Sequence, residues 1–314
     1  CTSLNTITKL SSSSENKIFA SPIGILDFKR SQPEPMDITL TKLCESEELF
    51  LDSLHLLDEK QKTILKDSGK LLTLMKIFSA LRKTYEQKFE SLFKFQFDAI
   101  QYFIQSLLES TRKPLIVRAP TDSGKSIVYY MCTAIEKEFS ETSTTSSFIL
   151  LPTRALNATQ FQEITKFFYF LRKEGLEITL GLFLGQQKGQ GSVSKPELVN
   201  PGDPIFDIKK CPKCNSTEII AEKPHIERII PKCKDCKEEL DFIFLNSKET
   251  ARFCPNVVIG TPDKLARDLS LSFQSHNLFG CPMIKCKNCK LCTNLLGKYQ
   301  NNLKQNQELV CDPD

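Results

Sequence analysis

The sequence predicts an α/β fold: a parallel sheet with helices on both faces, a helical prefix ahead of it, and a small cysteine-bearing insertion inside it. Three observations predict this. Short apolar runs, P-L-I-V-R, F-I-L-L, E-I-T-L-G-L-F-L and N-V-V-I-G, alternate with helical stretches, which is the pattern of right-handed βαβ units. Leucines recur at mixed three- and four-residue spacing between Asp37 and Glu90 with no proline among them, the mark of amphipathic helices. Eight of the 13 cysteines fall into two clusters, and Cys-x-x-Cys pairs in a long chain without a secretory signal favour metal over disulfides.

Taken in order, residues 1–38 are polar, serine-rich and proline-containing, and read as a flexible lead-in. Residues 39–90 form the helical prefix. Residues 91–314 form the α/β lobe, with an insertion at 187–253 carrying the first cysteine cluster and a second cysteine-rich module at 279–311. The 314 residues suit one large domain or two ordinary ones, and 40% apolar with 25% charged residues describes a globular chain. A net charge of +4 does not by itself argue for nucleic acid. No apolar run approaches the roughly 18 residues of a membrane span, so no membrane partner is expected and the location is expected to be cytoplasmic. The chain starts at Cys1 without a methionine, and is read as a fragment.

Between the first strand and the helix that follows lies A-P-T-D-S-G-K-S, Ala119 to Ser126. A tight turn there presents backbone N–H groups to phosphate, and the helix adds the positive end of its dipole. Ala119, Pro120, Thr121, Asp122, Ser123 and Gly124 would wrap the polyphosphate of ATP, Lys125 would reach its β- and γ-phosphates, and Ser126 would hold Mg²⁺. Taken alone, the eight letters also suit an ordinary strand–turn–helix.

Cys211, Cys214, Cys233 and Cys236 have the spacing of a four-cysteine zinc site. Four thiolates close a tetrahedral Zn²⁺ with no open position, which makes the site structural. Cys281, Cys286, Cys289 and Cys292 suit Zn²⁺ first, but Cys-x-x-Cys-x-x-Cys also occurs in iron–sulfur binding, with Cys311 available as a further ligand. From Leu269 to Gln307 there is no acid, against Lys285, Lys287, Lys290, Lys298 and Lys304. That surface reads equally as a nucleic-acid contact or as a solvated face.

The phosphate loop resembles the first motif of DEAD/DEAH-box helicases of superfamily 2, where alanine occupies the position of Ala119. Four further blocks follow the family's order. F-Q-F-D-A-I-Q resembles the Q motif, which implies adenine recognition by Gln101 with an aromatic such as Phe95 stacking on the base. L-P-T-R-A-L resembles motif Ia, G-L-F-L-G-Q the glycine-bearing segment after it, and G-T-P-D-K-L motif Ib. These imply that Thr153, Arg154, Gly185, Thr261 and Pro262 meet the backbone of DNA or RNA. The resemblance covers about residues 90–265 and implies a RecA-like first lobe. It implies that the intact protein is an ATP-dependent helicase, an ATP hydrolase that remodels or translocates on nucleic acid.

Two departures qualify the expectation. Asp122 stands where the family has glycine, putting an acid beside phosphate. The family's acidic motif, D-E-x-H or D-E-A-D, is also missing; the one Asp-Glu pair, Asp58-Glu59, lies in the prefix. The chain is read as truncated before that motif and before the second lobe with its arginine finger, so alone it is expected to bind nucleotide weakly and hydrolyse it hardly at all. The alternative expectation is a zinc-ribbon nucleic-acid-binding module on a degenerate, non-hydrolysing ATPase-like scaffold.

Overall fold

The computed structural model describes residues 24–27, 34–86, 88–109, 114–119, 123–140, 145–184, 199–225 and 228–269. The chain divides into two compact units, Cys1–Leu71 with Ser91–Val128, and Leu72–Glu90 with Tyr129–Asp314.

Four helices occupy the region of the prefix: α1 (Leu40–Leu43), α2 (Glu47–Ser53), α3 (Glu59–Asp67) and α4 (Lys70–Tyr85). Each of the first three starts where a polar side chain can satisfy an orphan N–H of the first turn. Thr39 accepts from Lys42 N, and Ser46 from Leu49 N. Asp58 accepts from Gln61 N at 2.7 Å while the Gln61 amide oxygen accepts from Asp58 N at 3.0 Å. The Asp58-Glu59 pair is therefore a helix start with a reciprocal capping box.

In the first unit, α5 (Lys94–Leu108) leads to strand β2 (Leu115–Arg118), the turn to helix α6 (Lys125–Phe139) follows, and β2 pairs in parallel with β1 (Gly24–Asp27). Strand β1 lies within the stretch expected to be a flexible lead-in. A four-residue strand of which only Ile25 and Leu26 are strongly apolar is too short to show periodicity, and its pairing with a strand far along the chain is not a local property. The prefix meets α5 through Gln61 Nε2, which donates to Glu109 Oε1 at 3.2 Å, and through an ion pair between His55 Nε2 and Asp98 Oδ1 at 3.1 Å.

The second unit is built on a four-stranded parallel sheet, order β3–β8–β4–β7, with β3 at Ser147–Leu150, β4 at Leu180–Phe183, β7 at Ile243–Phe244 and β8 at Val257–Gly260. Strands β4 and β8 are buried along their whole length, as parallel strands covered on both sides must be. The chain is thus of the α/β class that the sequence predicts. At the end of β8, a Cβ on Gly260 would lie 2.4 Å from Phe183 O, so only glycine lets β8 and β4 close here. Helix α7 (Arg154–Lys173) follows β3 and buries Phe161, Ile164, Phe167, Phe168 and Leu171.

Residues 243–253, expected within the insertion, belong to this sheet layer. They supply β7 at its edge and helix α8 (Ser247–Phe253), which contacts β4. Two strand residues are too few to show alternation, which is why the sequence hides β7. The rest of the insertion carries the antiparallel hairpin β5 (Ile219–His225) and β6 (Arg228–Cys233).

Arg228 ties that hairpin to the sheet layer. Its side chain is 1% exposed and that of Glu249, on α8, is 0% exposed. The Arg228 guanidinium donates to Ile243 O at 2.7 Å, Asp241 O at 2.7 Å and Ile229 O at 3.0 Å, lies 3.4 Å from Glu249 Oε2, and sits 4.0 Å from the Phe244 ring centroid. Glu249 also accepts from Ile229 N at 2.6 Å and Leu245 N at 3.0 Å. Removing one charge of such a pair leaves the other buried and uncompensated, which costs about 3–5 kcal/mol. Arg228→Met is expected to lower the urea midpoint accordingly, and adding Glu249→Gln to recover part of the loss. Equal midpoints for wild type and Arg228→Met would contradict this account.

Candidate functional site

Two regions collect the residues that the sequence singled out, one in each unit, and the cysteine hairpin forms a third.

In the first unit, β2 delivers the chain to the phosphate loop at Ala119 and α6 opens at Lys125. Gly124 has φ +73°, a left-handed conformation that costs other residues but not glycine. A Cβ there would lie 2.6 Å from Gln96 Nε2, so a larger residue would also displace the Gln96 amide from the turn. The Lys125 ammonium reaches back across the turn and donates to Ala119 O at 2.8 Å. Ser123 is buried and Ser126, in the first turn of α6, is half-buried. Pro120, Thr121 and Asp122 lie outside the described residues.

Gln101 does not meet the loop. It is 0% exposed, its amide oxygen accepts from Leu56 N at 3.0 Å, and its nitrogen lies 3.3 Å from His55 Nδ1. Its polar groups are occupied by the prefix. The glutamine at the loop is Gln96, one turn and a half earlier on α5. Its amide oxygen accepts from Phe93 N at 2.8 Å, and its nitrogen donates to Gly124 O at 2.9 Å and Ser123 O at 3.4 Å. Phe95 is 3% exposed and buried in the core, which removes it as a stacking surface. The signal for Gln96 was its place three residues after the residue that starts the helix, where a glutamine turns back to the chain ahead of it.

In the second unit, β3 and β8 are neighbours in register, Leu150 opposite Gly260, so the segments that follow them emerge side by side at the carboxyl edge of the sheet. Leu151 N donates to Gly260 O at 2.9 Å and joins the two turns. Thr153 caps α7, accepting from Leu156 N at 3.3 Å, and Thr261 accepts from Lys264 N at 3.4 Å at the start of α9 (Pro262–Leu269). Two helix N-termini therefore open on one edge, an arrangement that favours anions. Arg154 lies half-buried beside Thr153, and the Lys264 ammonium sits 4.8 Å from the Phe183 ring centroid at the end of β4. Thr153, Arg154, Thr261 and Pro262 are thus brought together; Gly185 lies outside the described residues.

Asn157, which the sequence did not mark, braces this edge from inside. It is 0% exposed, and its amide donates to Leu151 O at 3.1 Å and Thr153 O at 2.8 Å. Its place one turn into α7, under the Pro-Thr cap, was the available signal.

The cysteine hairpin holds Cys211, Cys214, Cys233 and Cys236 with all four sulfurs within 4.8 Å of one another. The contacts Cys211–Cys236 and Cys214–Cys233 are 3.6 and 3.5 Å, near the ~3.8 Å edge of a tetrahedron with metal–sulfur bonds of about 2.3 Å. The two Cys-x-x-Cys turns are built alike. Asn215 N donates to Cys211 O and Lys237 N to Cys233 O, and both residues have φ near the left-handed value, 61° and 60°. Burial pushes the Cys211 thiol up to about 12. Burial also raises Cys233, but N–H groups of Cys236 and Asp235 outweigh it and bring the thiol down to about 7. This donor set fits a metal ion. Cys281, Cys286, Cys289 and Cys292 lie outside the described residues.

Among the described residues, no helix is long and apolar enough to cross a membrane. Residues 95–197 match the family model described as DEAD/DEAH box helicase. No curated protein and no solved structure matches the chain.

If the four sulfurs hold one ion, metal content per chain falls by one in Cys214→Ser with Cys233→Ser, and the melting temperature falls with it. Unchanged metal content in that double variant would refute the site.

Proposed function

We propose, from the premise that residues 95–197 carry a DEAD/DEAH-box helicase domain, that this chain is the nucleotide-binding lobe of an ATP-dependent helicase or translocase acting on DNA or RNA. A RecA-like domain of this family implies ATP and Mg²⁺ as its ligands and nucleic acid as its partner. The observation that carries the reading is the strand–turn–helix at Ala119–Ser126, with a left-handed glycine at Gly124 and a lysine that spans the turn.

In this reading, the N–H groups of the turn and Lys125 compensate the charge of the phosphates, and Ser126 is the hydroxyl ligand for Mg²⁺. Gln96 positions the loop rather than reading adenine, because it is buried and its amide is taken up by Phe93 N, Gly124 O and Ser123 O. Thr153, Arg154, Thr261 and Pro262 receive the nucleic-acid backbone at the carboxyl edge, where helix N-termini and cations favour phosphate. The four clustered thiolates hold a structural Zn²⁺, closed to water and substrate, whose contribution is folding energy. The second cysteine set is assigned to Zn²⁺ as well, and a brown, iron-containing protein would overturn that assignment.

The chemistry of hydrolysis needs an acidic pair for the metal and the attacking water. The chain's one Asp-Glu pair is occupied as the start of α3, so ATP turnover by this chain is expected to be slight even where binding is intact. Asp122, an acid within the phosphate loop, favours as second reading a zinc-ribbon nucleic-acid-binding module on a degenerate, non-hydrolysing ATPase-like scaffold.

Titration of the chain with Mg·ATP tests both. Lys125→Ala is expected to abolish measurable binding, and Gln96→Ala to weaken it far more than Gln101→Ala. Unchanged affinity in Lys125→Ala would refute the loop assignment. Asp122→Gly is expected to tighten binding by removing a negative charge from the phosphate site; no change would separate that carboxylate from the ligand.

A further inference from the structure

We propose that Phe206, Lys209 and Lys210, on the rim of the cysteine hairpin, form a platform for single-stranded nucleic acid: a base stacks on the Phe206 ring and the two ammonium groups take neighbouring phosphates. The inference rests on the nucleic-acid reading above and adds a second contact region to the carboxyl edge.

Phe206 is 67% exposed, the most exposed large apolar side chain among the described residues. Its exposure belongs to a fixed backbone. Ile205 and Ile208 on either side are buried at 3% and 1%. Ile205 N donates to Ile219 O at 2.8 Å, and Pro204 bridges to Ile220 of β5. The ring is held out by two anchored neighbours.

The lysines are fixed in the same way. Gln162, on α7, accepts from Lys209 N at 2.8 Å and Lys210 N at 3.2 Å, and donates to Lys210 O at 2.9 Å. One side chain thus clamps the backbone of both lysines while both side chains stay exposed. Asp207, the acid between ring and lysines, has a buried carboxylate oxygen, so its charge is not fully presented to the rim. Cys211 follows Lys210 directly and continues the chain into the metal cluster.

An exposed aromatic ring with adjacent cations is the composition that binds single strands without sequence preference, because every base has a face to stack. Cations alone would suit duplex phosphates equally. The ring argues for an unpaired strand, since a base must leave its stack to lie on it. The three or four residues from Phe206 to the lysines span at most about 11–14 Å of extended chain, enough to set a stacked base beside the phosphates next to it. Gln162 lies eight residues, ~12 Å of helix, from Arg154 at the start of α7. A strand leaving the carboxyl edge therefore needs only a few nucleotides to reach the platform.

The test is fluorescence anisotropy of the full chain with a labelled 20-nucleotide oligo-dT and a blunt 20-base-pair duplex over a salt series. Phe206→Ala is expected to weaken oligo-dT binding ~10-fold, in the range of one lost base stack, with duplex affinity unchanged, and Phe206→Trp to restore it. Lys209→Gln with Lys210→Gln is expected to flatten the slope of log affinity against log salt by about 1.4, roughly 0.7 for each phosphate. Melting temperatures equal to wild type confirm that the variants fold. If both variants bind oligo-dT as wild type does while Arg154→Ala binds more weakly, the platform is wrong, the nucleic-acid reading stands, and Phe206 faces a protein instead. If wild type binds neither oligonucleotide, the reading beneath the platform fails as well.

Discussion

The second unit depends on one buried ion pair, Arg228 with Glu249. Burying two charges costs several kcal/mol for each ion, and the attraction between them offsets that cost only when the remaining hydrogen-bonding groups are satisfied. Here they largely are. Three carbonyls and an aromatic face receive the guanidinium, and two backbone N–H groups with Asn246 at the helix start hold the carboxylate region in place. Burial lowers the affinity of Arg228 for its proton and raises that of Glu249, so each charge depends on the other. The carbonyls belong to the hairpin and to the segment entering the sheet edge, and the carboxylate belongs to α8. Hairpin, edge strand and helix are thereby fixed by two side chains.

Helix α7 carries that order along its length. Its N-terminus opens at the carboxyl edge, capped by Thr153 and braced by Asn157. Its middle offers Gln162 to the loop before Cys211. At its last turn, Arg172 pairs with Asp241, and Lys173 shares Glu238 with Lys213 of the first knuckle. Exposed pairs of this kind contribute little individually; their effect here is orientation, because they repeat at several points on one rigid rod. A helix that opens at the carboxyl edge at one end and meets the cysteine hairpin at the other ties folding of the insertion to placement of a surface.

What the sequence made legible was whatever is encoded by local backbone chemistry. A glycine that must be left-handed, a lysine after it and a strand before it are readable without any knowledge of the rest of the chain. So are two Cys-x-x-Cys turns, since their ligands must lie close in space and each pair is close in sequence. The parallel strands were readable from apolar runs, and the turns after β3 and β8 from their Thr-containing helix starts. What escaped was decided at long range. Gln96 and Gln101 differ by five positions on one helix, and only the packing of the prefix shows that Gln101 is taken up by Leu56 and His55. Strand β7 is two residues long and exists because β4 lies beside it. Arg228 reads as one more surface cation in a charged hairpin until Glu249, twenty-one positions later, is seen beneath it.

This division explains why the two departures from the family pattern bear differently on the chain. The Asp58-Glu59 pair is settled by local physics, because a reciprocal cap between Asp58 and Gln61 is complete within four residues and Glu59 pairs with Lys62 at 3.2 Å on the same helix. Asp122 is a question of direction. If the loop receives phosphate, a carboxylate turned inward would repel it, whereas one turned outward would leave Lys125 in control. Gly124 already supplies the left-handed residue that the turn requires, and Gln96 already holds its backbone from the side. The end of the turn at Ser123 and Gly124 is therefore held by groups other than the side chain at 122.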